Sequence, residues 1–449
     1  MSPSTMRKQP VSHWFCIPMA LLAAVALSAG CTAEDPDMDL GGDSTPITLS
    51  VHGLSSTCGS TGNKNPFSEI KSFEVRVRAD DISDWKPSAK VPRSGKIVTI
   101  PEVPAGDGRE ITLIGTNNAG KKLWYARDSG VKVKKNTTTT LEMALMALDG
   151  FTCLGLDAGA ASSVIFPAVT EISYGNVLIT GGFALAQKGT KSTTLTQAMN
   201  DAYIFDPNTG QLEKLGGTGM IEGRGGHSAI WLKKRNQVLI VGGATEMTVS
   251  NDKSGPPTFN ATKTVNMSYE IFDIATKKFI APKSTGKVSK AAAKRVLPSL
   301  LPLADDHVIS LAGAQWPTGL SGGEAANYRY SDLFKPDTDG GILENESGLP
   351  LTELRSGTAV AKFGVNKFLI WGGGLDQVAE VFTESSNPQD GTFDNTYIIE
   401  GDVTSKSGTL YFSSLTSLGK SEGNEGRLLA IGGIRHNGTK WLAPDPSDV

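Results

Sequence analysis

The feature that most constrains this chain is a phrase that returns five times. It reads GNVLITGG from Gly175, NQVLIVGG from Asn236, DHVISLAGA from Asp306, NKFLIWGGG from Asn366 and GRLLAIGG from Gly426. Each is a short β-prone run closed by two glycines, except that the third closes on Ala312-Gly313. The second glycines are Gly182, Gly243, Gly313, Gly373 and Gly433, which stand 61, 70, 60 and 60 residues apart. Self-similarity at so long a period means stacked supersecondary units, none of which can bury its apolar face alone.

The rest of each unit is also patterned. Before each phrase lies a strand-like run rich in small or hydroxyl residues: SSVIFPAV, GGHSAIWL, LPSLLPLA, SGTAVAKF and SGTLYFSSL. After the first three comes a third run, YIFDPNTG at Tyr203, EIFDIATK at Glu270 and DLFKPDTDG at Asp332. Turn residues then reverse the chain into a fourth strand. Four antiparallel strands per 60 residues is the content of a propeller blade. The order of small-residue strand, VLI-x-GG strand and [YE]-x-F-D-P-x-T-G resembles the kelch repeat from about Val164 to the C-terminus. The resemblance implies a kelch-like β-propeller of about five to six blades over residues 151–449. Glycine is expected at the phrase because inner strands crowd there and the backbone can take φ > 0. The pattern departs from the family where Leu212 and Phe279 replace a fourth-strand tryptophan, and where the fourth repeat approaches Phe382 by a shorter path. Only 16 residues follow Gly433, so the last blade reads as incomplete.

Residues 47–150 have a different grain. Six runs (ITLSVHGL, IKSFEVRVRA, GKIVTIPEV, REITLIGTN, KKLWYARDSGVKV and TTTTLEMALMA) alternate apolar and polar positions between Gly, Pro, Asn and Asp. They predict a small antiparallel β-sandwich that looks immunoglobulin-like or prealbumin-like. The fold class expected for the whole chain is therefore all-β.

The N-terminus reads as an address. Arg7 and Lys8 precede the apolar core WFCIPMALLAAVALSAG, which ends in small residues before Cys31. LSAGC resembles the bacterial lipobox, although Ser28 stands where that family favours an aliphatic residue. The resemblance implies a lipoprotein signal over 1–30 and lipidation of Cys31. Thr32 in place of the aspartate that retains some lipoproteins at the inner membrane implies the outer membrane. Residues 31–46 then form an anchor and an acidic flexible tether, with five acids, no base and almost no apolar content after Cys31. Of four cysteines, Cys16 leaves with the signal and Cys31 takes lipid. In an oxidising exterior Cys58 and Cys153 are expected either to form a disulfide or to stay as buried thiols.

Charge excludes one class of partner. The chain carries 43 Lys and Arg against 46 Asp and Glu, and no basic run with interleaved aromatics, so nucleic acid is not expected. Catalytic signatures are missing as well. LGKS at Leu418 lacks the glycine a Walker loop needs at Ser414, and DTDGGILENE at Asp337 has Ile342 where an EF-hand needs glycine. No HExxH, GxSxG or CxxC occurs. Galactose-oxidase-like enzymes share kelch blades but need a cysteine-crosslinked tyrosine, and Cys153, the only cysteine in the blade region, lacks the matching surroundings. No enzyme, metal or cofactor is expected.

Two groups remain as binding candidates. Arg224, Arg295 and Arg355 stand 18, 17 and 17 residues before the first glycine position of their repeats. Such a ring could grip an anion at a channel mouth, or each arginine could close an ion pair within its own blade. His227 shares a strand with Arg224 and reads as structural, having no partner histidine at a metal-ligand spacing. The second group lies in insertions between the second and third strands, from Gly182, Gly243 and Gly313. Two of them, FALAQKGTKSTTLTQAMND and ATEMTVSNDKSGPPTFNATKTVN, are hydroxyl-rich and carry Lys188, Lys191, Lys253 and Lys263. They read as long loops gathered on one face, where repeat folds place binding.

The expected whole is a cell-envelope lipoprotein, membrane-anchored by lipid, that binds a protein or glycan without catalysis. The alternatives are a kelch-type carbohydrate-active oxidase or lyase, or a purely structural envelope protein. Cys31→Ser is expected to release the protein in soluble form on cell fractionation. Persistent, detergent-sensitive membrane association of that variant would remove the lipid anchor from this reading.

Overall fold

The computed structural model describes residues 44–442 apart from 54–65, 86–90, 93–94, 149–163, 191, 217–218, 251–257, 266–268, 282–294, 314–329, 337–341, 354, 356, 374–378, 395–408, 418–426 and 437–440. The signal, Cys31, the tether as far as Asp43, the Cys58–Cys153 pairing, Lys191, Lys253 and the third insertion lie outside the described residues, while the last three residues expected of the tether, 44–46, belong to the first strand. The described chain is nearly all β, in several sheets; its one α-helix spans Pro66–Glu69.

All six runs expected in the N-terminal unit are strands, joined by two short ones, Ile82–Trp85 and Val91–Pro92. They form one eight-stranded sheet that runs from Ile82–Trp85 through Ser72–Ala79, Gly106–Thr116, Lys122–Val133, Thr139–Ala147 and Ser44–Gly53 to Ile97–Pro104. Alternate residues point inward because side chains alternate across a strand. Thus Ile47, Leu49, Val51, Phe73, Val75, Val77, Val98, Ile100, Ile111 and Leu113 from both halves share one core. The halves are held together in the sheet by only two pairs, Trp124↔Ala147 and Tyr125↔Met146, so the sheet curls around that core. One expectation is corrected. Ser44–Gly53 pairs antiparallel with Ile97–Pro104 but parallel with Thr139–Ala147, from Ile47↔Thr139 to Gly53↔Leu145. The first strand is inserted between two others, and the last enters from its own end, so the sheet is not wholly antiparallel.

The repeats give successive antiparallel sheets. The first joins Ala168–Glu171, Val177–Thr180, Ala202–Asp206 and Gln211–Lys214. The second joins Gly225–Leu232, Gln237–Ser250, Tyr269–Asp273 and Lys278–Ile280. The third joins Ser299–Pro302, Val308–Leu311, Tyr330–Pro336 and Ile342–Pro350. The fourth joins Ala359–Lys362, Lys367–Trp371, Ala379–Thr383 and Thr392–Asp394. In the fifth, Ser414–Ser417 pairs with Leu428–Ile431, while Thr409–Tyr411, Ile434–His436 and Trp441–Leu442 form a separate small sheet.

First strands of neighbouring repeats lie side by side, tied by hydroxyls. Thr170 donates to the carbonyl of Ala229 at 3.1 Å, Ser228 to that of Pro298, and Ser299 to that of Thr358 at 2.9 Å. At the entry to each first strand the backbone is left-handed, two residues before it at Phe166, Leu297, Gly357 and Phe412 and at its second residue in Gly226, with φ between 53 and 64°. These positions link head to tail: Gly226 N–H donates to Phe166 O, Leu297 to Gly226, and Phe412 to Gly357. Where the residue is not glycine its side chain is a large apolar one, and Phe166, Leu297 and Phe412 pack into a cluster with Phe183, Leu195, Met247 and Val296.

The N-terminal unit rests on the first repeat. The ends of its two parallel strands meet the turn Asp206–Gly210: His52 Nε2 donates to Thr209 O at 2.7 Å, and Ala144 N–H donates to Asn208 O. Tyr174, in the turn between the first two strands of that repeat, covers Gly130 so closely that a Cβ there would overlap its ring. Asp128 sits at this junction. Burial pushes its carboxyl up to about 6, and the nearby charge of Asp206 adds to the effect.

The recurring glycines have the expected cause. Gly181, Gly182, Gly242, Gly243, Gly372, Gly373, Gly432 and Gly433 all have positive φ, and a Cβ on Gly242 would come within 2.5 Å of the Arg295 carbonyl oxygen. Ala312 takes the same left-handed conformation, at φ 56°, so the third repeat carries strain that the others avoid. A left-handed backbone costs an L-residue about 1–2 kcal/mol. Gly242→Ala should therefore lower stability in urea unfolding by more than about 2 kcal/mol, since the clash adds to that cost. Ala312→Gly should change it by less than about 1 kcal/mol, because relieved strain offsets a lost methyl. Equal losses in the two variants would contradict this account.

Candidate binding face

The insertions of the first two repeats are strands rather than loops. Phe183–Lys188 pairs with Ser192–Ala198, which pairs with the far half of the long strand Gln237–Ser250, which pairs in turn with Thr258–Thr264. The reason is legible in the residues: runs such as Ser192-Thr-Thr-Leu-Thr196 and Met247-Thr-Val249 are β-branched and alternate in polarity. One joint four-stranded sheet thus spans two repeats.

Its two faces differ. Leu195 and Met247 are directly paired and buried at 3% and 0% exposure, and they belong to the cluster of Phe166, Leu297 and Phe412. The alternate residues face outward. Thr194 and Thr248 are hydrogen-bonded at 3.3 Å, and Thr248 and Thr262 at 2.9 Å, so a row of hydroxyls crosses three strands. Beside them Lys263 Nζ meets Glu246 Oε2 at 3.0 Å, and Thr245 donates to Lys263 O. Lys188 is exposed at the tip of its strand. The face offers closely set donors and acceptors on a rigid backbone, which suits hydrogen bonding to a polar ligand.

The three arginines do something else. All three side chains are buried at 0% exposure. Arg224 forms an ion pair with Glu270 at 2.9 Å and donates from Nη1 to Gly242 O at 2.9 Å. Arg295 donates to Asp332 at 2.8 Å and to Ala312 O at 2.6 Å. Arg355 donates to Glu380 and, at 2.8 Å, to Gly372 O. Each guanidinium thus engages a carboxylate of the third strand and the carbonyl of its own left-handed phrase, and a second acid stands by two of them, Glu353 at 2.9 Å from Arg355 and Glu222 at 3.8 Å from Arg224. Backbone atoms extend the tie, since Gly182 and Gly243 N–H donate to the carbonyls of Arg224 and Arg295 in the next repeat. Of the two readings of these arginines the geometry fits the ion pair within each blade and not the anion-gripping ring: none of the three guanidinium groups faces solvent, because the acid two residues before each third-strand phenylalanine draws it inward. Burial raises the Glu270 carboxyl, and Arg224 pulls against that shift.

Sequence reasoning found the arginines and missed their partners. The signal was present. Glu270, Asp332 and Glu380 occur in the three repeats that carry the arginine, whereas the first repeat has Val164 and Tyr203 at the two positions. His227 is buried, hydrogen-bonded through Nε2 to Thr180 Oγ1 at 2.9 Å, and held down to about 3 by burial and the Arg224 charge. Among the described residues no group of three or more His, Cys, Asp or Glu is arranged to hold a metal ion.

No protein-family profile and no curated protein sequence matches the chain. Solved structures resemble it weakly in shape. A novel fungal alcohol oxidase of the AA5 family, in complex with copper, aligns with a TM-score of 0.39 and 13% identity over 76% of this chain and 55% of that one. A GH43_1 enzyme from Xanthomonas citri aligns at 0.28 and 11% over 56% and 78%, respectively. A DUF4876 family protein from Bacteroides thetaiotaomicron aligns at 0.16 and 10% over 38% and 46%. The chain therefore spans little more than half the length of the oxidase. Likeness at this level carries neither family nor activity to this chain.

Removing one partner of a buried ion pair leaves an uncompensated charge, at a cost of about 3–5 kcal/mol. Arg355→Met and Glu380→Leu should each destabilise the protein by about that much. The double variant, which installs the apolar solution already present in the first repeat, should cost clearly less than the sum of the two. Additive losses in a urea double-mutant cycle would show that the two side chains do not act as a pair.

Proposed function

We propose that this chain is a bacterial cell-envelope lipoprotein built as a small β-sandwich followed by a kelch-like propeller. In this reading it binds a protein or glycan, without catalysis, through the hydroxyl-bearing face of the joint sheet. What supports the proposal is the spatial order of the parts. The N-terminal unit touches the first repeat at Tyr174 and Asp206–Gly210, the turns after its first and third strands. Antiparallel strands put both turns at one end, so the insertion after the second strand, which begins the joint sheet, leaves from the opposite end. Ser44 starts the strand whose far end, at His52, meets the first repeat, and eight residues of strand span about 26 Å. An anchor preceding Ser44 would therefore lie on the far side of the N-terminal unit, and the hydroxyl face would look away from the membrane. A stalk with its polar, rigid face outermost suits recognition at a surface.

Glycan-array screening and photo-crosslinking in cells should identify a saturable ligand of the mature chain. The double variant Thr194→Arg/Thr248→Arg adds two bulky cations on the outer face and leaves Leu195 and Met247 in place. It should melt within a few degrees of the parent and bind the identified ligand at least tenfold more weakly, a loss of about 1.4 kcal/mol. Unchanged affinity in the folded double variant, or no saturable ligand in either assay, would overturn the proposal.

A further inference from the structure

The joint sheet has two edges, and they are built differently. Exposed edges are templates for further pairing, and proteins that avoid this use bulges, lysines or covering segments. The Thr258–Thr264 edge is guarded: its register with the long strand shifts twice, around Glu246, and Lys263 lies along it, engaged with Glu246. The other edge, Phe183–Lys188, pairs with Ser192–Ala198 without a register shift; one pair, Ala184 with Gln197, is missed where Gln197 is left-handed at φ 55°, and the ladder is continuous from Leu185 to Lys188. It contains no proline and no acid, and its one lysine stands at the end. Leu185 is 45% exposed there, and Ala186, Gln187 and Lys188 are exposed as well.

A ladder on this edge has already begun. Phe183 turns its N–H and C=O away from its hairpin partner and exchanges both with Ile165, at 2.8 and 2.9 Å. Gly189 N–H donates to Ser192 O at 2.6 Å, so in the unbroken ladder from Leu185 to Lys188 it is Leu185 and Gln187 that face the hairpin partner, and Ala186 and Lys188 turn their backbone groups outward. Among the described residues no hydrogen bond takes them. The hairpin also has a sign. From Phe183 to Met199 the sequence carries Lys188 and Lys191 and no acid. A second copy of the same edge would bring like charges together, which disfavours self-pairing. An acidic strand would complement it.

We propose that Phe183–Lys188 receives an extended, acidic segment of a partner protein as an added β-strand. Main-chain hydrogen bonds from Ala186 and Lys188 hold the segment, and the Lys188 side chain selects its charge. This rests on the reading that the joint sheet is the binding surface, and it narrows the ligand from protein or glycan to an acidic polypeptide.

The test uses the full mature chain and two fluorescein-labelled, blocked octapeptides, one alternating valine or threonine with glutamate, the other with lysine in place of glutamate. Fluorescence anisotropy should show saturable binding of the glutamate peptide, at least tenfold tighter than the lysine peptide. Ala186→Pro removes one outward N–H at an edge position where proline is tolerated, and should weaken binding at least tenfold. Lys188→Glu, which leaves the backbone intact, should remove the preference for the glutamate peptide. Equal affinity for the two peptides, or wild-type affinity in folded Ala186→Pro, would overturn the proposal. So would a sedimentation result in which the parent is a dimer and Ala186→Pro a monomer, because the occupant would then be a second copy. Should Thr194→Arg/Thr248→Arg lose an identified ligand that Ala186→Pro retains, the binding face stands and the edge is not its docking site.

Discussion

The repeats depend on one backbone manoeuvre, a turn into left-handed φ at the glycine phrase that follows or interrupts each second strand. It leaves the carbonyl of its first residue turned into the interior, and three of the repeats meet that carbonyl with a buried arginine. The guanidinium then needs a counter-charge, which the third strand supplies from Glu270, Asp332 or Glu380. Turn, arginine and acid form a single construction that fixes how the second and third strands sit against the approach to the first. A fully buried ion pair is weak evidence of extra stability, since desolvation works against it. Its value here is geometric: a planar fork of fixed donors admits only one arrangement of its acceptors.

The first repeat shows what happens without that construction. Val164 and Tyr203 stand in place of the charged pair, and the glycine phrase keeps its positive φ. This repeat is also the one that takes the weight of the N-terminal unit on its turns and sends the first hairpin into the joint sheet. Neighbours on both ends hold it in register, so the internal staple is dispensable there.

Much of the fold was legible in the chain. The phrase period located the second strand of every repeat, and the alternation in 47–148 located six strands, because both signals come from local periodicity. Two features were not legible, since they depend on partners distant in sequence. Parallel pairing of Ser44–Gly53 with Thr139–Ala147 joins segments some 90 residues apart, and nothing in either strand declares direction. The joining of two insertions, Leu195 to Met247, was hidden because each alone reads as a polar loop. The arginines illustrate an intermediate case. Their phase was visible, but whether they faced a ligand or a carboxylate turned on an acid that only a comparison between repeats would have marked.

The joint sheet alters how the repeats come apart. In a string of units that touch only their neighbours, unravelling can start at either end and proceed one unit at a time. Here Ser192–Ala198 of the first repeat is hydrogen-bonded to the second strand of the next, and Leu195 and Met247 share one buried cluster. Neither repeat can open without breaking the other's sheet. The pair therefore behaves as one cooperative block of double size, and fraying of the array belongs to the later repeats.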